Sequence, residues 1–394
     1  MKSEYQDYME FLKSFVQGTP LTLSDNVDWS SIMKMAQINN TTGIIGYMFM
    51  SNPGAADPGL TSVGRHHCLQ EISVFSRRAE QMKQLMKILN EHEIDHMLFK
   101  GYLVRELYPI PELRSFGDID FVIRKEDREK CDALMMELGF TRETDWEPVY
   151  SYLKGMEYYE IHTEVLEVDV SQKADYKEYY SHIWEHVINT DQHTYVFTPE
   201  FHLLYLLTHI AKHISGAGAG IRMYIDIAFS VQHYRDTLDW YYIKEQFKIL
   251  KFEDFGNIVF TAVEQWFGVA SPIKLRPITE EVMDDFLSFT LEGGLFGKVG
   301  RESSVVYLKQ KMDNEGHFSK GKVLMHRMFP SASDLESRYT YLQGKHWLLP
   351  IAWIHRLIKT RNKIGYHAHE AQGILKAEDE QVQKLGRMYK EIGL

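Results

Sequence analysis

The segment Gly117-Asp118-Ile119-Asp120-Phe121-Val122-Ile123 places two carboxylates two residues apart where a β-branched, apolar run begins. Such a run reads as a strand. Alternate side chains on a strand share a face, so Asp118 and Asp120 converge while Ile119 and Phe121 point the other way. Converging carboxylates repel each other unless a cation sits between them, and Mg²⁺ or Mn²⁺ suits an oxygen-only site. The chain must therefore build a sheet whose one face is core and whose other face carries acid.

Around this strand the pattern is that of a small α/β unit over residues 95–172. Met97-Leu98-Phe99 is a short apolar run ended by Lys100-Gly101, and Leu103, Leu107 and Tyr108 follow at helical spacing until Pro109 and Pro111 stop them. Lys125 to Leu138 reads as an amphipathic helix closed by Gly139. Tyr150–Leu153 and Tyr158–Val170 read as strands joined by a Lys154-Gly155 turn.

The flanks are helical. Ile72, Phe75, Ala79, Met82, Met86 and Leu89 form an apolar stripe before the unit, and Ser51-Asn52-Pro53-Gly54 with Pro58-Gly59 interrupts that region. After it, Thr198-Pro199-Glu200 opens a helix through Leu203, Leu204, Leu207 and Ile210 to His213. A Gly216/Gly218/Gly220 turn follows, then a helix from Ile221 to Tyr234, with further helices over 241–270 and 350–360. Trp240, Trp266, Trp347 and Trp353 lie in helical segments and read as core. The expected organisation is a helical region 1–93, an α/β core 94–197 and a helical region 198–394 packing on it.

A net charge of −11 disfavours duplex DNA as a partner. Two distant cysteines indicate neither a zinc ribbon nor a disulfide framework. No signal core is present, and no apolar run approaches the roughly 18 residues of a span. A cytoplasmic protein without a membrane partner is expected.

A site built on Asp118 and Asp120 needs a third acid from a neighbouring strand. Glu160 is the first candidate and Asp169 the alternative; His162 shares the face of Glu160. Taken alone, a Glu or His on a half-exposed strand is more often part of a solvated face. Lys100-Gly101, at a strand-to-helix junction, offers an ammonium and backbone N–H groups to an anion, or is an ordinary turn. Arg114 reads as a phosphate clamp or as a screen for the acids. His209 and His213 share a helix face as a metal pair would, with Lys212 beside them. Arg222 and Asp226, four residues apart, read as part of a triphosphate site or as a surface ion pair. His367, His369 and Glu370 read as a solvated tail.

The run from Leu98-Phe99-Lys100-Gly101 through Leu107-Tyr108-Pro109 to Leu113-Arg114-Ser115-Phe116-Gly117-Asp118-Ile119-Asp120 resembles the uncharacterised nucleotidyltransferase family of the DNA polymerase beta-type superfamily. The resemblance extends over roughly residues 26–360, through Glu160-Ile161-His162, the helix from Pro199-Glu200 to His213, Arg222 with Asp226-Ile227, and Trp347–Trp353. It implies an α+β fold, a small mixed β-sheet core flanked by N-terminal and C-terminal helical regions. It also implies two divalent ions on Asp118, Asp120 and Glu160, and transfer of a nucleoside monophosphate from a nucleoside triphosphate to an acceptor hydroxyl or phosphate, releasing pyrophosphate. The lysine and later acid that similar enzymes place near the nucleotide would be Lys212 and Asp226. The superfamily's Gly-Ser turn is here Lys100-Gly101-Tyr102, without the serine hydroxyl. That departure keeps open a nucleotide-binding or scaffolding protein without turnover, and a toxin-like enzyme acting on RNA or protein is a further alternative.

Overall fold

In the computed structural model, residues 3–166, 170–171, 173–216, 218–293, 320–336, 339–359 and 379–394 are described. The chain divides into two compact units, residues 1–296 with 392–394, and residues 297–391.

The first unit opens with four helices: α1 Ser3–Gln17, α2 Trp29–Ile38, α3 Thr42–Ser51 and α4 Pro58–Glu91. Tyr8, Phe11, Leu12 and Phe15 bury one face of α1. The Asp57 side chain accepts from the N–H groups of Gly59 and Leu60, and Pro58 occupies the first turn, so α4 starts where the sequence offers a cap. Helices α3 and α4 meet backbone to backbone: a Cβ at Gly46 would lie 2.0 Å from the Gly64 carbonyl oxygen.

The sheet region follows as β1 His96–Leu98, α5 Lys100–Val104, β2 Ile119–Ile123, α6 Arg128–Glu137, β3 Thr141–Trp146, β4 Val149–Lys154, β5 Glu157–His162, α7 Tyr176–Tyr179, β6 Val187–Asp191 and β7 Thr194–Phe197. The strand order is β3-β4-β5-β2-β1-β7-β6. β2 runs parallel to β5 and β1 parallel to β7; the other pairs are antiparallel. This seven-stranded mixed sheet flanked by helices is the expected fold class. Ile119, Phe121, Ile123, Tyr159 and Ile161 pack on Leu85 and Leu89 of α4 and Leu134 and Met135 of α6. The opposite face carries Asp120, Glu160 and His162. Five further helices complete the unit: α8 Pro199–Gly216, α9 Ile221–Tyr234, α10 Trp240–Leu250, α11 Glu253–Phe267 and α12 Glu280–Gly293.

Several local expectations change. The strand read as Tyr158–Val170 ends at His162, because β4 begins at Val149, opposite His162, and Pro148 before it has no N–H to continue the ladder. Lys125–Asp127 is a 3₁₀ turn ahead of α6. Strand β3 and the β6–β7 hairpin were not read from the sequence: β3 and β6 are edge strands rich in polar side chains, paired on one side only.

The second unit has helices Lys320–Met328, Ala332–Leu335 and Leu349–Lys359, and a small core of Leu335, Tyr339, Leu342 and Ala352, against which Leu348, Leu349 and Trp353 pack. Trp347 is not core; it is 76% exposed, in a 3₁₀ turn.

Candidate active site

After β1 the chain is extended at Phe99, and Lys100 then enters the left-handed region with φ +53°. That conformation is uncommon for a lysine and marks a place where surrounding structure holds the backbone. It turns the side chain towards the acidic face, where Nζ donates to Asp120 Oδ1 at 2.7 Å. Gly101 is required by packing: a Cβ there would lie 2.0 Å from Arg114 Nη1. Gly101→Ala is therefore expected to displace Arg114 and lower the melting temperature by several degrees; an unchanged melt would show that the guanidinium has room to move.

Asp120 lies in β2 directly opposite Glu160 in β5, a register set by the apolar residues between them. The His162 Nε2 is 2.9 Å from Asp120 Oδ1 and 3.9 Å from Glu160 Oε2. One ligand atom from each of Asp120, Glu160 and His162 lies within 4.8 Å of the others. Two carboxylates and an imidazole form a donor set that fits a divalent cation with oxygen and nitrogen ligands. The ammonium of Lys100 already supplies one positive charge against the buried acid, on the same oxygen that His162 approaches.

Electrostatics separates the two aspartates. Burial raises the Asp120 carboxyl, but the Lys100 ammonium and the His162 hydrogen bond outweigh it, so its pKa is well below the usual carboxylate range. Asp118, just before β2, is raised by burial and then by the Asp120 charge, against weaker pulls from Lys100 and Arg222. Burial lowers Lys100, but the charge and hydrogen bond of Asp120, with the Tyr205 and Asp118 charges, together outweigh it, so its pKa is raised.

The far wall comes from α9 and the loop ahead of β2. Asp226 accepts from Arg114 Nε at 3.1 Å and Nη2 at 2.6 Å, and from the Tyr108 hydroxyl at 2.7 Å. Arg222 donates from Nη1 to the carbonyl and hydroxyl oxygens of Ser115, and Ser115 is tied to Asn40. Both members of the Arg222/Asp226 pair are buried, and the hydrogen bonds of each run to the β1–β2 loop rather than across α9. Burial and then the neighbouring Arg114 bring the Arg222 pKa down to about 10, still charged at neutral pH, and its Nε has no hydrogen-bond partner among the described residues. Tyr108, Ser115 and Asn40 were not singled out in the sequence. Tyr108 lies within the Leu107-Tyr108-Pro109 signature, whereas nothing local marks Asn40.

Lys100, Arg114, Asp118, Asp120, His209 and Arg222 line one cleft, together with Gly101 and Asp226. The cleft holds about 90 Å³ of space, room for small polar groups between these side chains. Lys212, half-buried on α8, is not among the described residues that line it. His213 packs edge-on against His209 at 4.6 Å. Asp169, His367, His369 and Glu370 lie outside the described residues.

Helix α8 also carries a pH dependence. Burial lowers His202 to about 4; burial and then Lys212 lower His213 to about 4. Unfolded histidines take up protons near pH 6.5, so below that pH the unfolded state binds more protons than the native state and stability falls. The expected loss is about 1.4 kcal/mol per pH unit per histidine down to about pH 4. Thermal melts at pH 7 and 5.5 test this; His202→Gln should flatten the dependence.

Among known proteins, no curated protein and no solved structure matches the chain. Residues 25–268 match the family described as uncharacterised nucleotidyltransferase. That span is more than half of the sequence and contains every residue of the cleft, so the chain belongs to this nucleotidyltransferase family.

Proposed function

We propose that the protein transfers a nucleoside monophosphate from a nucleoside triphosphate to an acceptor hydroxyl or phosphate at the cleft above β2. The acceptor oxygen would form a bond to the α-phosphorus, the bond from that phosphorus to the bridging oxygen would break, and pyrophosphate would leave. The observation that carries the reading is that Asp120, inside a family of nucleotidyltransferases, belongs both to the cluster with Glu160 and His162 and to the small cleft that Lys100 and Arg222 also line.

Asp120, Glu160 and His162 would hold Mg²⁺ or Mn²⁺, and the ion when bound supplies Lewis-acid polarisation and a lower pKa for the acceptor hydroxyl. The remaining chemistry belongs to the chain. Arg222, with Nε unpartnered, faces the cleft as a fixed cation for the triphosphate. Its hydrogen bonds to Ser115 fix it before the substrate arrives, and such preorganised donors are worth roughly 3 kcal/mol each in a transition state. Lys100 keeps Asp120 ionised. Asp118, whose raised pKa makes it the better proton acceptor of the two aspartates, takes the acceptor's proton. Arg114 and Asp226, saturated by each other and by Tyr108, shape the wall.

The missing serine hydroxyl at Lys100-Gly101 favours one competing reading, nucleotide binding without turnover. Calorimetry with each common nucleoside triphosphate and Mn²⁺, paired with release of labelled pyrophosphate in the presence of candidate acceptors, separates the two. Binding without release supports the sensor, release supports the transferase, and no binding of any triphosphate overturns both.

A further inference from the structure

We infer, on the reading of the cleft as a triphosphate site, that Asn40 in the N-terminal helical region is a positioning residue for Arg222. Helix α2 ends in a Schellman turn. The Thr41 N–H returns to the Ala36 carbonyl at 2.8 Å and the Asn40 N–H to the Gln37 carbonyl at 3.3 Å, with Asn40 in the left-handed region at φ +54°. Glycine is the usual residue at that position because it has no Cβ to strain, so the turn alone does not call for an asparagine. The carboxamide is used elsewhere: Nδ2 donates to Ser115 Oγ at 2.8 Å, 75 residues along the chain.

A serine hydroxyl has one hydrogen to give and two lone pairs to fill. Ser115 gives its hydrogen to the Asn40 carbonyl oxygen at 3.1 Å, and its oxygen accepts from Asn40 Nδ2 and, at 2.9 Å, from Arg222 Nη1. Asn40 thus holds the hydroxyl from two sides in a rotamer that presents an acceptor to the guanidinium, and the Ser115 carbonyl takes a second bond from the same Nη1. The neighbours of Asn40 are themselves anchored. Asn39 Nδ2 donates to the Leu291 carbonyl of α12 at 3.1 Å, the Thr41 hydroxyl meets that of Tyr8 at 2.9 Å, and the Thr42 hydroxyl donates to Glu71 at 2.7 Å. A cation oriented before its ligand arrives loses less freedom on binding, so the anchor at Asn40 should be read as triphosphate affinity.

Calorimetry of the full chain with Mn²⁺ and the common nucleoside triphosphates provides the test. Asn40→Gly keeps the left-handed turn and removes the carboxamide, so the melting temperature should stay within a few degrees of wild type while the Kd for the triphosphate rises about tenfold. A merely structural role would add its penalty in any background, whereas a role through Arg222 would not. The Asn40→Gly penalty should therefore shrink to about twofold or less in Ser115→Ala, which lacks the hydroxyl, and in Arg222→Met, which lacks the cation. Wild-type affinity in Asn40→Gly overturns the inference, and so does a penalty that persists undiminished in either background. Absence of triphosphate binding by the wild type is a separate result, which removes the reading of the cleft itself.

Discussion

Asp120→Asn should abolish metal-dependent nucleotide binding and reduce nucleotidyl transfer by at least about 10³-fold while leaving a folded chain. The carboxylate is the meeting point of the site: Lys100 and His162 both bond its Oδ1, and Glu160 faces it across the β2–β5 ladder. An amide keeps the shape and an acceptor oxygen but removes the charge. Stability should fall as well, because the Lys100 ammonium is left buried without its counter-charge, a loss of a few kcal/mol. The pH dependence of the wild type follows from the same pair. Asp120 has a depressed pKa, so its contribution is present above the ordinary carboxylate range and is lost as pH falls through the folded value. Lys100 has a raised pKa, so its contribution is present below about 10.4 and is lost as pH rises through the folded value.

Lys100→Met added to Asp120→Asn separates the two effects. The double variant removes both charges and should melt above Asp120→Asn alone, since replacing a buried pair costs less than breaking it. Nucleotide binding should stay lost. Circular dichroism melts and Mn²⁺-dependent calorimetry read the two quantities separately; triphosphate binding retained by Asp120→Asn would remove this residue from the site.

The acidic face was legible because it rests on local periodicity. Asp120, Glu160 and His162 alternate with Ile119, Phe121 and Ile161, and period two alone assigns them to one side of the sheet. What the period leaves open is which side chains close into a cluster. Asp118 shares the parity of Asp120 but precedes the strand, and the three ligand atoms that come within 4.8 Å belong to Asp120, Glu160 and His162. The far wall was less legible for a different reason. Arg222 and Asp226 read naturally as a pair with each other, yet the partner of Asp226 is Arg114, 112 residues away, and that of Arg222 is Ser115. Such partners follow from how α9 docks against the loop ahead of β2, which helical spacing does not encode. The edge strands β3 and β6 were obscure because a polar edge need satisfy only one neighbour.

Asp226→Ala should destabilise the protein by about 3–5 kcal/mol, lowering the melting temperature on the order of 10 °C. The substitution leaves the Arg114 guanidinium, 7% exposed as a residue, without the two bonds it makes to Asp226, and strands the Tyr108 hydroxyl. Tyr108→Phe, which removes one bond to a charged acceptor and keeps the ring packed at 4.4 Å from Phe229, should cost about 1.5–3 kcal/mol. Asp118→Asn should behave in the opposite sense. Its carboxyl pKa is raised in the folded state, so the ionised form is disfavoured there, and neutralising it at pH 7 should leave the melt unchanged or higher while transfer is lost. The contrast assigns the acids by physics. Asp226 is an acid the fold needs, because a fork of donors surrounds it. Asp118 would then be one the fold tolerates at a cost in stability, as the proposed role in proton transfer requires. Melts of the three variants at neutral pH decide it: a stable Asp226→Ala, or an Asp118→Asn that melts well below wild type, would reverse the assignment.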